Sequence, residues 1–400
     1  MKYLLGLLLF LSTVYTYADN PLLVVVIMVK NEATVIKQTL QPFADSGVTH
    51  FFVFDTGSTD GTQQTAQDFF FENNITNGIV AEEPFVDFST SRNRALALTK
   101  QAFPDATFML MIDAEWYTSN VPGLLQFCEA AQYGTELAYL IRITDRNTSF
   151  YTTRLIRCSA QIEFEGVVHE WLNKPTHVKV PADVYFYFNP AQRGCDKTRQ
   201  RWIRDRDLLV KSYQQDPYNP RTVFFLAQTD TGLGDLESAY AFYYIRSQLK
   251  GGSVEEDYLS RYRMGEIAIY LSKTNGMYPA DLALKHYLDA FSVRPWRAEP
   301  LIKIAQHYWE MGNMHLCFLF ARRACELPYP EEESFCVENT MYDFTRYDFL
   351  SACAYRIGEF QIGYHATLKA LQASPDMAHL HNNLSLYRQQ LQITSTEVST

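Results

Sequence analysis

Four short segments, in fixed order across the first 170 residues, carry the side chains best suited to chemistry. They are Met28-Val29-Lys30-Asn31-Glu32, Asp55-Thr56-Gly57-Ser58-Thr59-Asp60-Gly61-Thr62, Asp113-Ala114-Glu115 and Val168-His169-Glu170. Asp55 follows an apolar run and can accept hydrogen bonds from a uracil or ribose edge, while Gly57 and Gly61 let the chain turn tightly beside it. The same stretch also reads as a plain strand-to-helix turn in which Ser58, Thr59 or Asp60 caps the next helix. Asp113 and Glu115, one residue apart, can both face a hard cation such as Mn2+ or Mg2+, which would neutralise charge on a departing diphosphate. On its own, an Asp-x-Glu at a strand end is equally a solvated loop. His169 beside Glu170 suggests a metal ligand next to a carboxylate able to take a proton from an acceptor hydroxyl or thiol; a lone histidine is also a common structural residue. Arg92 and Asn93 open a helix and offer charge-assisted bonds to phosphate or base edges. The basic run Lys197, Arg199, Arg201, Arg204 and Arg206, interleaved with Asp205 and Asp207, reads as a helix face with local ion pairs.

The elements that must position these groups alternate between strand-like and helical patterns from Leu22 to about Phe188. Leu22 to Val29 is continuously apolar and rich in β-branched residues, as expected of a parallel strand covered on both faces. Phe51 to Phe54 and Phe108 to Ile112 read the same way, and Ala33 to Phe43 and Ser89 to Phe103 have helical spacing. Strand, helix, strand in this order implies a doubly wound sheet, with the acidic and glycine-containing turns at the carboxyl ends of its strands. After Asn189-Pro190 the strand signals stop. Helix pairs follow, with a shared pattern of Ala, Tyr, a turn Gly, a further Ala and an exit Pro, over Asp216 to Tyr243, Pro300 to Pro328 and Asp348 to Pro375. The pattern resembles a tetratricopeptide repeat, whose concave face commonly binds extended peptide. Gly265 to Pro295 reads as a further degenerate unit.

At 400 residues the chain is long enough for two domains. Its net charge of −10 argues against nucleic acid as the main partner. The seven cysteines show no CxxC and no zinc-ligand spacing. Residues 1–18, with a basic start, a leucine-dominated stretch and small residues before Asp19, fit a cleaved signal peptide, with an uncleaved N-terminal membrane anchor as the alternative. Sequons occur at Asn74, Asn147 and Asn383.

Taken together, Met28 to Glu32, Asp55 to Thr62, Asp87-Phe88-Ser89 with Arg92-Asn93, Ile112 to Glu115 and Phe164 to Glu170 resemble glycosyltransferase family 2, of the GT-A fold. Within it they resemble the branch with a C-terminal tetratricopeptide-like region that includes SunS-type enzymes. The resemblance implies an α/β GT-A nucleotide-diphospho-sugar transferase domain over residues 19–195, an all-α tetratricopeptide-like helical repeat domain over 196–390 and a flexible tail over 391–400. It implies an inverting, metal-dependent hexosyltransferase (EC 2.4) that moves a sugar from a nucleotide-sugar donor, most often a UDP-sugar, to a peptide, protein or glycan acceptor. Glu32, Asp55, Arg92 and Asn93 would then hold the nucleotide, Asp113, Glu115 and His169 the Mn2+ or Mg2+, and Glu170 would be the catalytic base. The branch usually shows Asp-x-Asp where this chain has Asp113-Ala114-Glu115. The expected location is the secretory-pathway lumen or outside the cell, with no spanning segment left after cleavage. The rival expectation is a catalytically silent scaffold whose helical repeats bind a partner protein.

Overall fold

In the computed structural model, which describes residues 20–144, 148–174, 176–188, 195–333 and 335–393, the apolar run after Pro21 forms strand β1 (Leu23–Val29). Its alternate side chains enter two cores. Val25 and Ile27 pack on one face of the sheet with Phe51, Val53, Leu110 and Ile112, whereas Val24 and Val26 pack on the other with Phe52, Phe54, Met109 and Met111. Side chains alternate across a strand, so a sheet covered on both faces leaves no polar position in its central strands. Beside β1 lie β2 (His50–Asp55), β3 (Asn77–Glu82) and β4 (Phe108–Asp113), all parallel, in the order β3-β2-β1-β4. Helices α1 (Ile36–Asp45) and α2 (Thr62–Glu72) cover the first face through Ile36, Leu40, Phe43, Ala66 and Phe69. Helix α3 (Phe88–Ala102) covers the second through Ala95 and Leu96. The first helix begins later than its pattern suggested, because the carbonyl of Glu32 accepts from the amides of Val35 and Ile36 in a turn.

Beyond β4 the sheet becomes mixed. The chain passes through β5 (Tyr117–Thr118), α4 (Val121–Ala131), β6 (Ala138–Thr144), β7 (Thr148–Arg157), a separate pair β8 (Phe164–Glu165) and β9 (Trp171–Leu172), and β10 (Tyr185–Tyr187). Strand β7 runs antiparallel between β4 and β6; β10 is parallel to β6, and β5 closes the far edge.

From α5 (Cys195–Gln215) onward the chain is a stack of antiparallel helix pairs: α6 (Pro220–Leu233) with α7 (Leu236–Gln248), α8 (Val254–Asn275) with α9 (Ala280–Val293), and α10 (Glu299–Glu310) with α11 (Met314–Glu326). They continue as α12 (Arg346–Ile357) with α13 (Phe360–Ala373), and α14 (Ala378–Leu391) follows. The recurring small residues are where helices approach closely: Ala227, Ala239, Ala268, Ala305, Ala321 and Ala354 are fully buried, and a Cβ on Gly265 would sit 2.5 Å from the Tyr287 ring. Gly234 and Gly358 end their helices at φ 85° and 83°, a left-handed conformation that favours glycine.

The stretch between α11 and α12 departs from the repeat. It leaves the stack and returns to the sheet as β11 (Val337–Glu338), pairing antiparallel with β7 through Val337↔Ser149 and Glu338↔Thr148. The expectation that strands end near residue 190 is corrected by this strand, which its two-residue length hid. It is anchored from behind by Arg297, 1% exposed, which donates to the Glu299 carboxylate at 2.6 Å and to the Cys336 carbonyl at 2.9 Å. The signal-peptide segment 1–18, the Asn147 sequon and residues 394–400 lie outside the described residues. Among the described residues no helix is long and apolar enough to cross a membrane.

Candidate functional site

The turns after β1 and β2 are laced together by their own polar side chains. The Asn31 amide donates to Ser58 Oγ at 2.8 Å, the Thr59 amide to Asn31 Oδ1 at 2.8 Å, the Glu32 amide to Thr62 Oγ1 at 2.8 Å and the Ala33 amide to Asp60 Oδ2 at 3.1 Å. Asp55 is fully buried and its Oδ1 accepts from the amides of Gly57 and Ser58, both at 2.7 Å, while its Oδ2 has no hydrogen-bond partner. Asn31 and Gly57 hold φ of 60° and 97°, so the two turns depend on residues that tolerate the left-handed region. Asn93, expected at a nucleotide, is instead a brace between α3 and β8: its side chain donates to the Phe164 carbonyl at 2.8 Å and accepts from the Phe164 amide at 2.7 Å.

The remaining expected site residues meet around Arg92, which is 3% exposed. Its Nη2 donates to Asp113 Oδ1 at 2.5 Å and its Nε to Glu170 Oε1. Arg154, on β7, reaches the same two carboxylates, at 3.6 Å from Asp113 Oδ2 and 3.3 Å from Glu170 Oε1. Two guanidiniums thus face two carboxylates in a buried neutral quartet. Burial alone would raise the Glu170 carboxyl, but Arg92 and Arg154 outweigh it and hold it below the usual range. A carboxylate so stabilised is a weak base.

His169 lies apart from the quartet. Its ring stacks on Phe225 with centroids 4.1 Å apart and planes 13° from parallel, and burial pushes its pKa down to about 4. Glu115 is buried at φ 69°, its amide donating to Thr39 Oγ1 at 3.2 Å. Among the described residues, no group of three or more His, Cys, Asp or Glu side chains is set to hold a metal ion. With Asp113 paired to two arginines and His169 stacked on Phe225, the residues expected to bind Mn2+ or Mg2+ do not converge as a cation cage, and so do not fit one as arranged here.

Two cavities flank Arg92 and Asp113. One, of about 470 Å3, lies at the ends of β1 and β4 and is lined by Lys30, Asn31, Glu32, Thr56, Glu115 and Arg204. The other, of about 520 Å3, lies between the sheet and the helices, with walls from β7 (Phe150 to Arg154), from β9 (Trp171), from α5 (Trp202, Asp205), from α6 (Arg221, Phe225) and from Phe335 of the segment before β11. Arg221 is central to its rim. Its guanidinium lies 4.6 Å from the Trp171 ring and 4.7 Å from Phe225, and it donates to Glu256 Oε1 at 2.5 Å and to the His169 carbonyl at 2.8 Å. Asp205 is 5% exposed, its Oδ1 has no hydrogen-bond partner, and the nearest cations are Arg204 at 3.8 Å and Arg201 at 4.0 Å. Its carboxyl is pushed up to about 6, chiefly by burial.

Arg154, Trp171, Arg221 and Glu256 do not stand out in the sequence. Only the arginine of Thr152-Thr153-Arg154-Leu155, a charge in a strand-like run, gives a signal: a buried charge must find a partner. Asp205 reads as one acid among alternating charges, and its isolation depends on which way α5 faces.

No protein-family model and no curated protein matches the chain. Solved structures do, and tetratricopeptide-repeat proteins are among those it is similar to. MamA is 16% identical over 46% of this chain and 96% of its own, with a TM-score of 0.35. YrrB, described as a tetratricopeptide-repeat protein with an unusual peptide-binding site, is 14% identical over 46% of this chain and 84% of its own, with a TM-score of 0.36. The C-terminal part of a repeat protein from Cytophaga hutchinsonii is 13% identical over 51% of this chain and 72% of its own, with a TM-score of 0.38. The expected membership of glycosyltransferase family 2 in its SunS-like branch is corrected by these findings, as are the GT-A assignment of the fold and the metal-dependent hexosyltransferase activity. What the chain itself shows is a stack of antiparallel helix pairs accompanied by a mixed sheet. The geometry supplies a physical reason in the same direction: the expected base is held between two arginines, and the expected metal ligands are engaged elsewhere.

Proposed function

We propose that this chain is a binding protein whose helical repeats and sheet together hold a segment of a partner protein. The observation that carries this reading is the 520 Å3 cavity, because its walls come from both the sheet and the helical stack. A site shared between two packed units is a common place for ligands, and aromatic walls with a few convergent polar groups are the usual lining. Trp171, 36% exposed on the rim, provides a large rigid contact surface of the kind that dominates binding energy at interfaces.

The test is a selection from a random library of acetylated, amidated heptapeptides on the immobilised full chain. Recovered peptides are measured by fluorescence anisotropy against the native chain and the rim variant Trp171→Glu. The expected outcome is a reproducible peptide set with micromolar affinity, weakened about tenfold or more by the variant, the order of loss for an interface aromatic. Absence of any reproducible set, or binding unchanged by Trp171→Glu, would overturn the reading.

A further inference from the structure

Strand β7 changes partner along its length. At Leu155–Arg157 it pairs with β4, at Thr148–Ser149 with β11, and β6 pairs with it on the opposite side from Ser149 to Ile156, with a register shift that leaves Arg154 out of the ladder. Between these two contacts, residues 150–153 are paired with β6 alone among the described residues, and Arg154 is bulged. All five line the 520 Å3 cavity, and Tyr151, Thr152 and Thr153 are half-buried rather than enclosed. In an antiparallel ladder, backbone groups point alternately to the two sides. About every second residue of this stretch therefore turns its amide and carbonyl toward the cavity. At about 3.3 Å per residue the opening is some 15–20 Å long, room for about five extended residues.

We infer that the partner segment binds as an added strand in this opening, filling the gap between β4 and β11 along β7. The inference rests on the partner-binding reading and specifies its mode. An open stretch of strand is a template for main-chain pairing, and alternate side chains of an added strand then enter flanking pockets. The charges around the opening also say what those side chains are. Arg92 and Arg154 are paired with Asp113 and Glu170, and Arg221 with Glu256. A charged side chain entering beside these pairs would have to compete with a formed ion pair, so the residues facing them are uncharged. Asp205 Oδ1 and Arg92 Nη1, both buried and without hydrogen-bond partners, offer one acceptor and one donor. An uncharged polar side chain, Asn or Gln, can complement either group, and the aromatic walls suit an apolar neighbour two residues along.

Peptides recovered by the heptapeptide selection are resynthesised with each backbone amide N-methylated in turn, and their affinities for the full chain are compared. Strand addition predicts a loss of tenfold or more at alternate positions and little change at those between, together with slowed hydrogen exchange of alternate amides within residues 150–154 of the protein. Peptides that bind but tolerate methylation throughout, or leave those amides unprotected, would overturn strand addition and leave partner binding standing. A recovered set dominated by charged residues at the inward positions would overturn the assignment of side chains. Failure to recover any peptide overturns the functional reading and this inference together.

Discussion

At the scale of single residues, the site is governed by how buried charges are compensated. Arg92 makes the shorter ion pair to each of the two carboxylates, so Arg92→Ala takes from Asp113 and Glu170 their nearer cation. Breaking a buried ionic network by removing one member typically costs about 3–5 kcal/mol, and the urea midpoint of the variant should fall accordingly. Asp205 behaves in the opposite sense. Its folded carboxyl titrates near 6, above its ordinary 3.8, so the unfolded chain ionises first as pH rises. Stability therefore falls between those two values, and the full penalty persists above pH 6. Asp205→Asn removes the titration and should raise stability at pH 8 by about 3 kcal/mol, an advantage that shrinks toward pH 4. A chemical-denaturation series of both proteins across that pH range checks it; an equal difference at every pH would refute the burial argument. A residue that lowers stability while presenting an unpaired acceptor to a cavity is expected where binding, not folding, sets its identity.

At the scale of elements, the turns and the β8–β9 pair are set by local chemistry. Gly166 holds φ 96°, and a Cβ there would run into the Trp171 ring. Gly166→Ala should therefore both strain the backbone and push Trp171 off Arg221, lowering stability by at least about 1 kcal/mol and red-shifting tryptophan emission as the ring is exposed. The segment Phe164 to Glu170 reads in sequence as a loop, yet its glycine serves the packing of a tryptophan five residues on. The apolar strands were equally legible, because a strand covered on both faces has to be apolar throughout. Strand β11 was not: two residues carry no periodicity, and its pairing depends on β7 lying alongside.

At the scale of the whole molecule, the departure between α11 and α12 joins the repeat stack to the sheet. Val337 is 2% exposed and packs with Ala298, Leu301, Leu327 and Tyr342 while pairing with Ser149. Val337→Asp places an unpaired charge in that packing and should disconnect the two units. Calorimetry is expected to show the single unfolding transition of the native chain split into two, with faster hydrogen exchange at Thr148 and Ser149. A variant that still unfolds in one step would mean that other contacts, such as Arg221 to the His169 carbonyl and Lys179 to the Glu331 carbonyl, suffice to couple the units.

By itself the sequence determined the features that depend on neighbours along the chain. These are the turn residues Asn31, Gly57 and Asp60, the two-faced apolar strands, and the helix pairs with small residues where helices touch. Only the tertiary structure decided how the charges pair. Arg92 meets Asp113 across 21 positions and Glu170 across 78, and Arg221 meets Glu256 across 35. Such pairings follow from the geometry of packing, since a charge in a sequence pattern has many possible partners and the fold brings one within reach. That is why Asp113, His169 and Glu170 look like a reactive set in sequence, while the folded chain makes of them a neutral quartet, an aromatic stack and the wall of a cavity.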